Sequence, residues 1–132
     1  MKFKYKRYGA DTLRPVIPIK VINKNEALIY EVLVDSGADL CIFDEEVGKA
    51  IGVDVRKGKR QEVLGVGGKS SIFFLHRVEI EVGGWTHEID AGFMSAVAGR
   101  VMSYCIVGQK GFFEFFVVKF DLKKGDVDLK NK

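Results

Sequence analysis

The run Val32-Leu33-Val34 leads directly into Asp35-Ser36-Gly37-Ala38-Asp39, so three bulky apolar residues are followed at once by a carboxylate and a turn. A strand with no polar face is one covered on both sides, a pattern of sheet interiors rather than rims. The fold must therefore carry a charged residue at the end of a buried strand. The next residues, Leu40-Cys41-Ile42-Phe43, are apolar again, so the acidic loop is expected to be tucked inside the molecule. A lone carboxylate there would bear a large desolvation cost.

Strand patterns dominate the rest of the chain. Val16–Ile22 reads as a strand whose Pro18, lacking an amide donor, argues for an edge or a bulge. A polar turn at Asn23-Lys24-Asn25 leads to a strand over Ala27–Val34, and Leu40–Phe43 is a shorter one. Asp44 to Gly52 has an N-cap aspartate, first-turn acids and a terminal glycine, which predicts one short helix. Gln61–Val66 and Ser70–Val82 read as a long hairpin with a glycine tip, and Gly83-Gly84 turns Ser70–Val82 into a strand over Trp85–Phe93. Met94–Ser103 has no period and is expected to be a loop. Cys105-Ile106-Val107-Gly108 is a short apolar strand meeting a glycine, Gly111–Phe116 a brief helical turn, and Val117–Leu122 with Val127–Lys130 a last hairpin. Together these predict an all-β barrel or sandwich with one or two short helices, in one domain over residues 1–132.

Composition bounds function rather than naming it. A chain of 132 residues with 47% hydrophobic and 30% charged residues can bury a core without staples. The net charge of +3 is mild and both signs are interspersed, so nucleic acid is not implied. Lys2, Lys4, Lys6 and Arg7, interleaved with Phe3, Tyr5 and Tyr8, read as a charged edge strand. No segment has the length or apolarity of a membrane span or a leader, so a cytoplasmic protein is expected. Cys41 and Cys105 lack metal or redox spacing and read as buried thiols, with a disulfide as the alternative. His76, His87, Glu88 and Asp90 show no metal spacing and read as solvent-facing strand residues; Trp85 and Phe112, Phe113, Phe115 and Phe116 read as core.

Asp35-Ser36-Gly37 by itself is ordinary turn chemistry, because an aspartate there can hydrogen-bond its own backbone two residues on. A second reading is chemical. Two carboxylates in contact cannot both ionise, so they share a proton and act together as acid and base. One can take a proton from water while the other protonates a peptide carbonyl, with no covalent intermediate and no metal. The sequence holds no second Asp-Ser/Thr-Gly, so a two-fold dimer would have to supply the other Asp35. No Gly-x-Ser-x-Gly, His-Glu-x-x-His or evident Cys/His pair offers another engine.

Four features in order, Arg14-Pro15, the VLVDSGAD stretch at 32 to 39, Gly65-Val66-Gly67-Gly68, and Ile106-Val107-Gly108 before a short helix, give the chain its likeness. It resembles the single-domain retropepsin-type aspartic proteases of the bacterial and archaeal branch. The resemblance implies a closed β-barrel subunit, a homodimer, no cofactor, and peptide hydrolysis by Asp35 of both chains on extended substrates. Ser36 stands where the family most often has threonine, whose hydroxyl bonds across the dimer; Gly37 makes the turn and its carbonyl meets substrate backbone. Gly65, Val66, Gly67 and Gly68 would tip a flap closing over the substrate. Arg14 and Asp39 match positions that pair between subunits and help frame the cleft. Gln109, after Gly108, replaces a retroviral arginine that braces the Asp39 position, so the bracing is expected to differ. Residues 117 to 132 exceed the retroviral form and would replace or cover its shared terminal sheet. A peptide-binding module of the same fold that no longer cleaves is the alternative, and a small barrel in which Asp35 only caps a turn is a third reading.

Overall fold

The computed structural model describes residues 1–64, 68, 70–95 and 105–132. They form twelve strands: β1 Lys2–Lys4, β2 Lys6–Gly9, β3 Thr12–Arg14, β4 Val16–Asn23, β5 Glu26–Val34, β6 Cys41–Asp44, β7 Lys59–Leu64, β8 Ser70–Val82, β9 Trp85–Met94, β10 Cys105–Val107, β11 Phe116–Asp121 and β12 Asp126–Asn131. One α-helix, α1, spans Glu45–Ala50, and short helical turns span Val55–Lys57 and Gln109–Phe113. Asp44 caps α1 as its sequence predicts, accepting the Glu46 N–H at 2.9 Å.

The main sheet runs β4-β5-β10-β6-β9-β8, and β4 pairs back onto β8, closing six strands into the barrel expected from sequence. β7 stays outside the ring. One edge of β8 is divided between two partners, with Ser70–Leu75 facing β7 and Glu79–Glu81 facing β4. The β7–β8 hairpin therefore leaves the barrel where β4 takes over. Pro18 opposes Glu31 of β5, short of the Lys20–Ile22 stretch that also meets β8, so its missing donor breaks no second ladder. The core is filled by Ile17, Ile19, Val32, Phe43, Phe93 and Phe112, among others, all essentially inaccessible.

A second sheet, β1-β12-β11, is made by the two ends of the chain. β1 is its charged edge, as expected, but the predicted single strand over residues 2–8 breaks at Tyr5, whose N–H turns to Gly125 O at 2.8 Å. β2 instead forms a separate hairpin with β3, which sequence reading missed. Val127 and Leu129 of β12 are buried against the barrel. Lys2 and Lys4 stand opposite Asp128 and Asp126 on β12, and Lys119 and Asp121 of β11 stand opposite the same two aspartates.

Three expectations need correction. Trp85 is 53% exposed, because it follows the Gly83-Gly84 turn at a hairpin tip beyond the barrel wall. His76 and His87 are half-buried rather than solvent-facing: His76 Nε2 lies 2.7 Å from Val55 O, and His87 Nε2 lies 2.6 Å from Asn131 Oδ1 with its ring stacked on Phe115. The helical turn begins at Gln109 rather than Gly111, and Phe116 already belongs to β11. Cys41 and Cys105 are both free and buried, and burial pushes their thiols up to about 11 and about 12 respectively. No helix among the described residues is long and apolar enough to cross a membrane.

Candidate active site

The loop carrying Asp35 joins two strands that do not touch. β10 lies between β5 and β6, parallel to the first and antiparallel to the second. Two strand spacings, roughly 9.6 Å, therefore separate the loop's ends, and its main chain must find partners on the strand beneath. Asp35 N–H donates to Val107 O at 3.0 Å, and Gln109 N–H and Lys110 N–H donate to Ala38 O and Asp39 O at 2.8 and 2.9 Å. Ala38 N–H closes a turn onto Asp35 O at 3.2 Å.

Gly108 is required by this arrangement. A Cβ at residue 108 would stand 2.5 Å from Ala38 O and 2.6 Å from Leu40 O, closer than side-chain carbons come to carbonyl oxygens. Past it the chain reverses at Gly111, whose φ of +92° places it in the left-handed region that glycine adopts without strain. The bracing turn is thus set by two glycines, one for space and one for dihedral angle.

The loop's side chains are less engaged than its backbone. Gly37 N–H donates to Asp35 Oδ1 at 2.9 Å, the Asx-type turn that the tripeptide suggests, while the other carboxylate oxygen has no partner among the described residues. Asp35 is half-buried, and Ser36, Gly37 and Asp39 are exposed. This corrects the expectation of a loop tucked inside the fold: strand pairing covers the chain up to Val34, and beyond it the loop opens onto the surface of the single chain.

Gln109 reaches back to this loop at a different atom from the one its sequence position suggests. Its Nε2 donates to Ser36 O at 2.6 Å, bracing the turn rather than the Asp39 carboxylate. Arg14 ends β3 with its guanidinium 5.0 Å from the centre of the Tyr8 ring, and Asp39 has no ion pair among the described residues. Of the glycine-rich tip, Gly68 is described and exposed, whereas Gly65, Val66 and Gly67 lie outside the described residues, as does most of the predicted loop over 94–103. Sequence reading missed Val107 O and the Lys110 N–H as parts of the site, because backbone partners carry no residue-type signal. It also missed Tyr8, which the β2–β3 pairing brings beside Arg14.

Among the described residues no cluster of His, Cys, Asp and Glu could hold a metal ion. The site offers a positioned carboxylate, a donor-rich backbone turn and a projecting hairpin.

Residues 17–110 match a family model described as aspartyl protease. No curated protein matches the sequence. Solved structures do: a retropepsin-like aspartic protease from Rickettsia conorii superposes with a TM-score of 0.66 at 15% identity, covering 98% of this chain and 88% of that one. The retroviral protease-like domain of Ddi1 from Leishmania major gives 0.60 at 21% identity, over 90% of each chain. EIAV protease, complexed with the inhibitor HBY-793, gives 0.55 at 19% identity, over 79% of this chain and 88% of that one. At these identities the superpositions establish a shared retropepsin-like fold.

Proposed function

The chain belongs to the aspartyl protease family, and from that premise we propose that it is an aspartic endopeptidase whose working site pairs Asp35 with Asp35 of a second copy. The observation that carries the proposal is the state of the Asp35 carboxylate: one oxygen is fixed by Gly37 N–H and the other is unengaged, on a loop that faces outward.

In the dimer the two carboxylates meet on a two-fold axis, where two like charges in contact cannot both stay ionised and a single proton is kept between them. The ionised carboxylate takes a proton from the water that attacks the substrate carbonyl, and the protonated one donates to the carbonyl oxygen. The carboxyl protonated by the water then gives that proton to the amide nitrogen, the other carboxylate takes one from a diol hydroxyl, and the C–N bond breaks to release an amine and a carboxylic acid with the shared proton restored. The substrate lies extended, backbone against Gly37 and Asp39, under the β7–β8 hairpin acting as a flap over Gly65 to Gly68. Ser36, whose hydroxyl has no partner among the described residues, is the group that bonds across the axis. Arg14 and Asp39 pair between subunits, while Gly108 and Gln109 hold the loop from below.

A peptide-library digest across acid to neutral pH tests the proposal. The wild-type chain is expected to cleave best on the acid side, and Asp35→Asn to lose about a hundredfold or more in rate. A wild type that binds extended peptides and cuts none, or a mutant that cuts equally well, replaces the peptidase with a binding module.

A further inference from the structure

β9 ends at Met94, which stands opposite Phe73, so the first residues of β8, Ser70 to Ile72, have β7 on one side and no described strand on the other. A cavity of about 380 Å³ opens there, at the root of the projecting hairpin. Ile72, Phe74 and Met94 give it an apolar floor, and the polar groups around that floor are nearly all donors.

Phe74 sets how the charge is arranged. Arg60 is its direct partner across β7 and β8, and Arg56 reaches over its ring from the Val55–Lys57 turn, with the guanidinium 5.8 Å from the ring centre. Two guanidinium groups therefore flank one aromatic side chain. Arg56 is partly neutralised: its Nε lies 3.4 Å from Glu45 Oε1 and its Nη2 donates to Ser95 Oγ at 3.3 Å, while the Ser95 hydroxyl donates to Glu45 Oε2. Arg60 is exposed and has no ion pair among the described residues. Glu62, further along β7 and opposite Ile72, shares the face of Arg60 without pairing with it. The hydroxyls of Ser70 and Ser71 likewise have no hydrogen-bond partner among the described residues. The cavity thus presents one uncompensated cation, one shared cation and two uncommitted hydroxyls, with no carboxylate among the described residues that line it.

A carboxylate on a short apolar stem fits each part of this lining. The guanidinium fork of Arg60 matches its two oxygens, the serine hydroxyls can donate to the remaining lone pairs, and the apolar floor covers the methylenes. A cationic side chain would meet like charge, and a wholly apolar one would strip water from Arg60 without replacing its hydrogen bonds. We propose that this cavity is a subsite for an acidic side chain of the polypeptide substrate, engaged where the extended chain leaves the cover of the β7–β8 hairpin, so that segments with Asp or Glu to one side of the cut are preferred. The subsite rests on the peptidase reading for the presence of a peptide beneath that hairpin; the preference for charge does not depend on cleavage.

Peptides recovered from a digest, or bound from a library, and remade with glutamate or glutamine at each flanking position in turn test the proposal. At about pH 5, where a peptide glutamate is still ionised, one position is expected to show a KM about fivefold lower for the glutamate form with kcat unchanged. Arg60→Gln is expected to abolish that difference while leaving cleavage of the glutamine form as it was. Arg60→Glu should invert it, favouring lysine at the same position. Asp35→Asn protein should show the same preferences in fluorescence anisotropy, where binding is read without cutting. A chain that cuts no peptide but binds the glutamate form more tightly, in a manner that Arg60→Gln removes, keeps the subsite and ends the peptidase reading. A peptidase that cuts both forms alike at every position, or whose preference survives Arg60→Gln, overturns the subsite alone.

Discussion

The Asp35 loop and the terminal sheet are opposites in how they use hydrogen-bonding groups. In the loop the main chain is satisfied from beneath, by Val107, Gln109 and Lys110, and the side chains of Asp35, Ser36 and Asp39 are left to act outward. In the terminal sheet the side chains of Lys2 and Lys4 engage Asp126, and no described strand pairs with the outer edge of β11. Backbone pairing fixes a shape, so the loop can hold reactive groups still. Side-chain pairing fixes a register, so the two ends of the chain are held in one alignment.

The contrast breaks most severely at Gly108. Gly108→Ala forces a methyl group against Ala38 O and Leu40 O, and the loop must leave β10 to admit it. A loss of about 3 kcal/mol in denaturant unfolding is expected, together with loss of peptide cleavage; unchanged stability would mean that the loop is not held from below.

Gln109→Ala should have a smaller effect. It removes the 2.6 Å bond to Ser36 O at an exposed position, about 1 kcal/mol of stability, and leaves the backbone braces intact. Cleavage is expected to fall several-fold while the melting temperature drops by only about 3–5 °C. Equal losses in both would make Gln109 a general stabiliser rather than a group that positions the turn.

The smallest expected effect lies in the terminal sheet. The Lys4 ammonium beside Asp126 holds its carboxyl below the usual carboxylate range. A depressed carboxyl stabilises the fold above its ordinary titration range, and that contribution is lost as pH falls through the lowered value. Lys4→Met should therefore lower the melting temperature slightly at neutral pH and flatten its decline in acid. A decline as steep as the wild type's would assign acid sensitivity to other carboxylates, among them Glu45, held low by the Ser95 hydroxyl and Arg56.

Much of the barrel was legible because its signals are local. Pro18, the Asp44 cap, the paired glycines at 83 and 84, and the alternation along Ser70–Val82 each act within a few residues. A β-rich barrel or sandwich followed from them, and the retropepsin-like fold from the resemblance carried by the Asp35 and Gly108 motifs. What escaped depends on distant partners. The run Val32-Leu33-Val34 says that both faces are covered, but not that β10 lies alongside, and a parallel pairing so far apart in sequence leaves no periodic trace. Gln109 declares a donor but not its acceptor. Trp85 looks like core by composition, and its exposure follows from standing just past a two-glycine turn. The outward set of the Asp35 loop was misread for a related reason: apolar residues on either side describe the strands it joins, and say nothing of the face on which it emerges.

The insertion of β10 between β5 and β6 also has a consequence in time. Ser36 and the glutamine that braces it are 73 residues apart in the chain. Closing so long a loop is slow compared with forming a hairpin or a helical turn. During synthesis Asp35 emerges early, with the residues that will anchor it still unmade, and it gains its fixed geometry only when the final third of the polypeptide arrives. A nascent chain thus carries its reactive carboxylate in unorganised form, and the capacity to act is conferred near the end of folding.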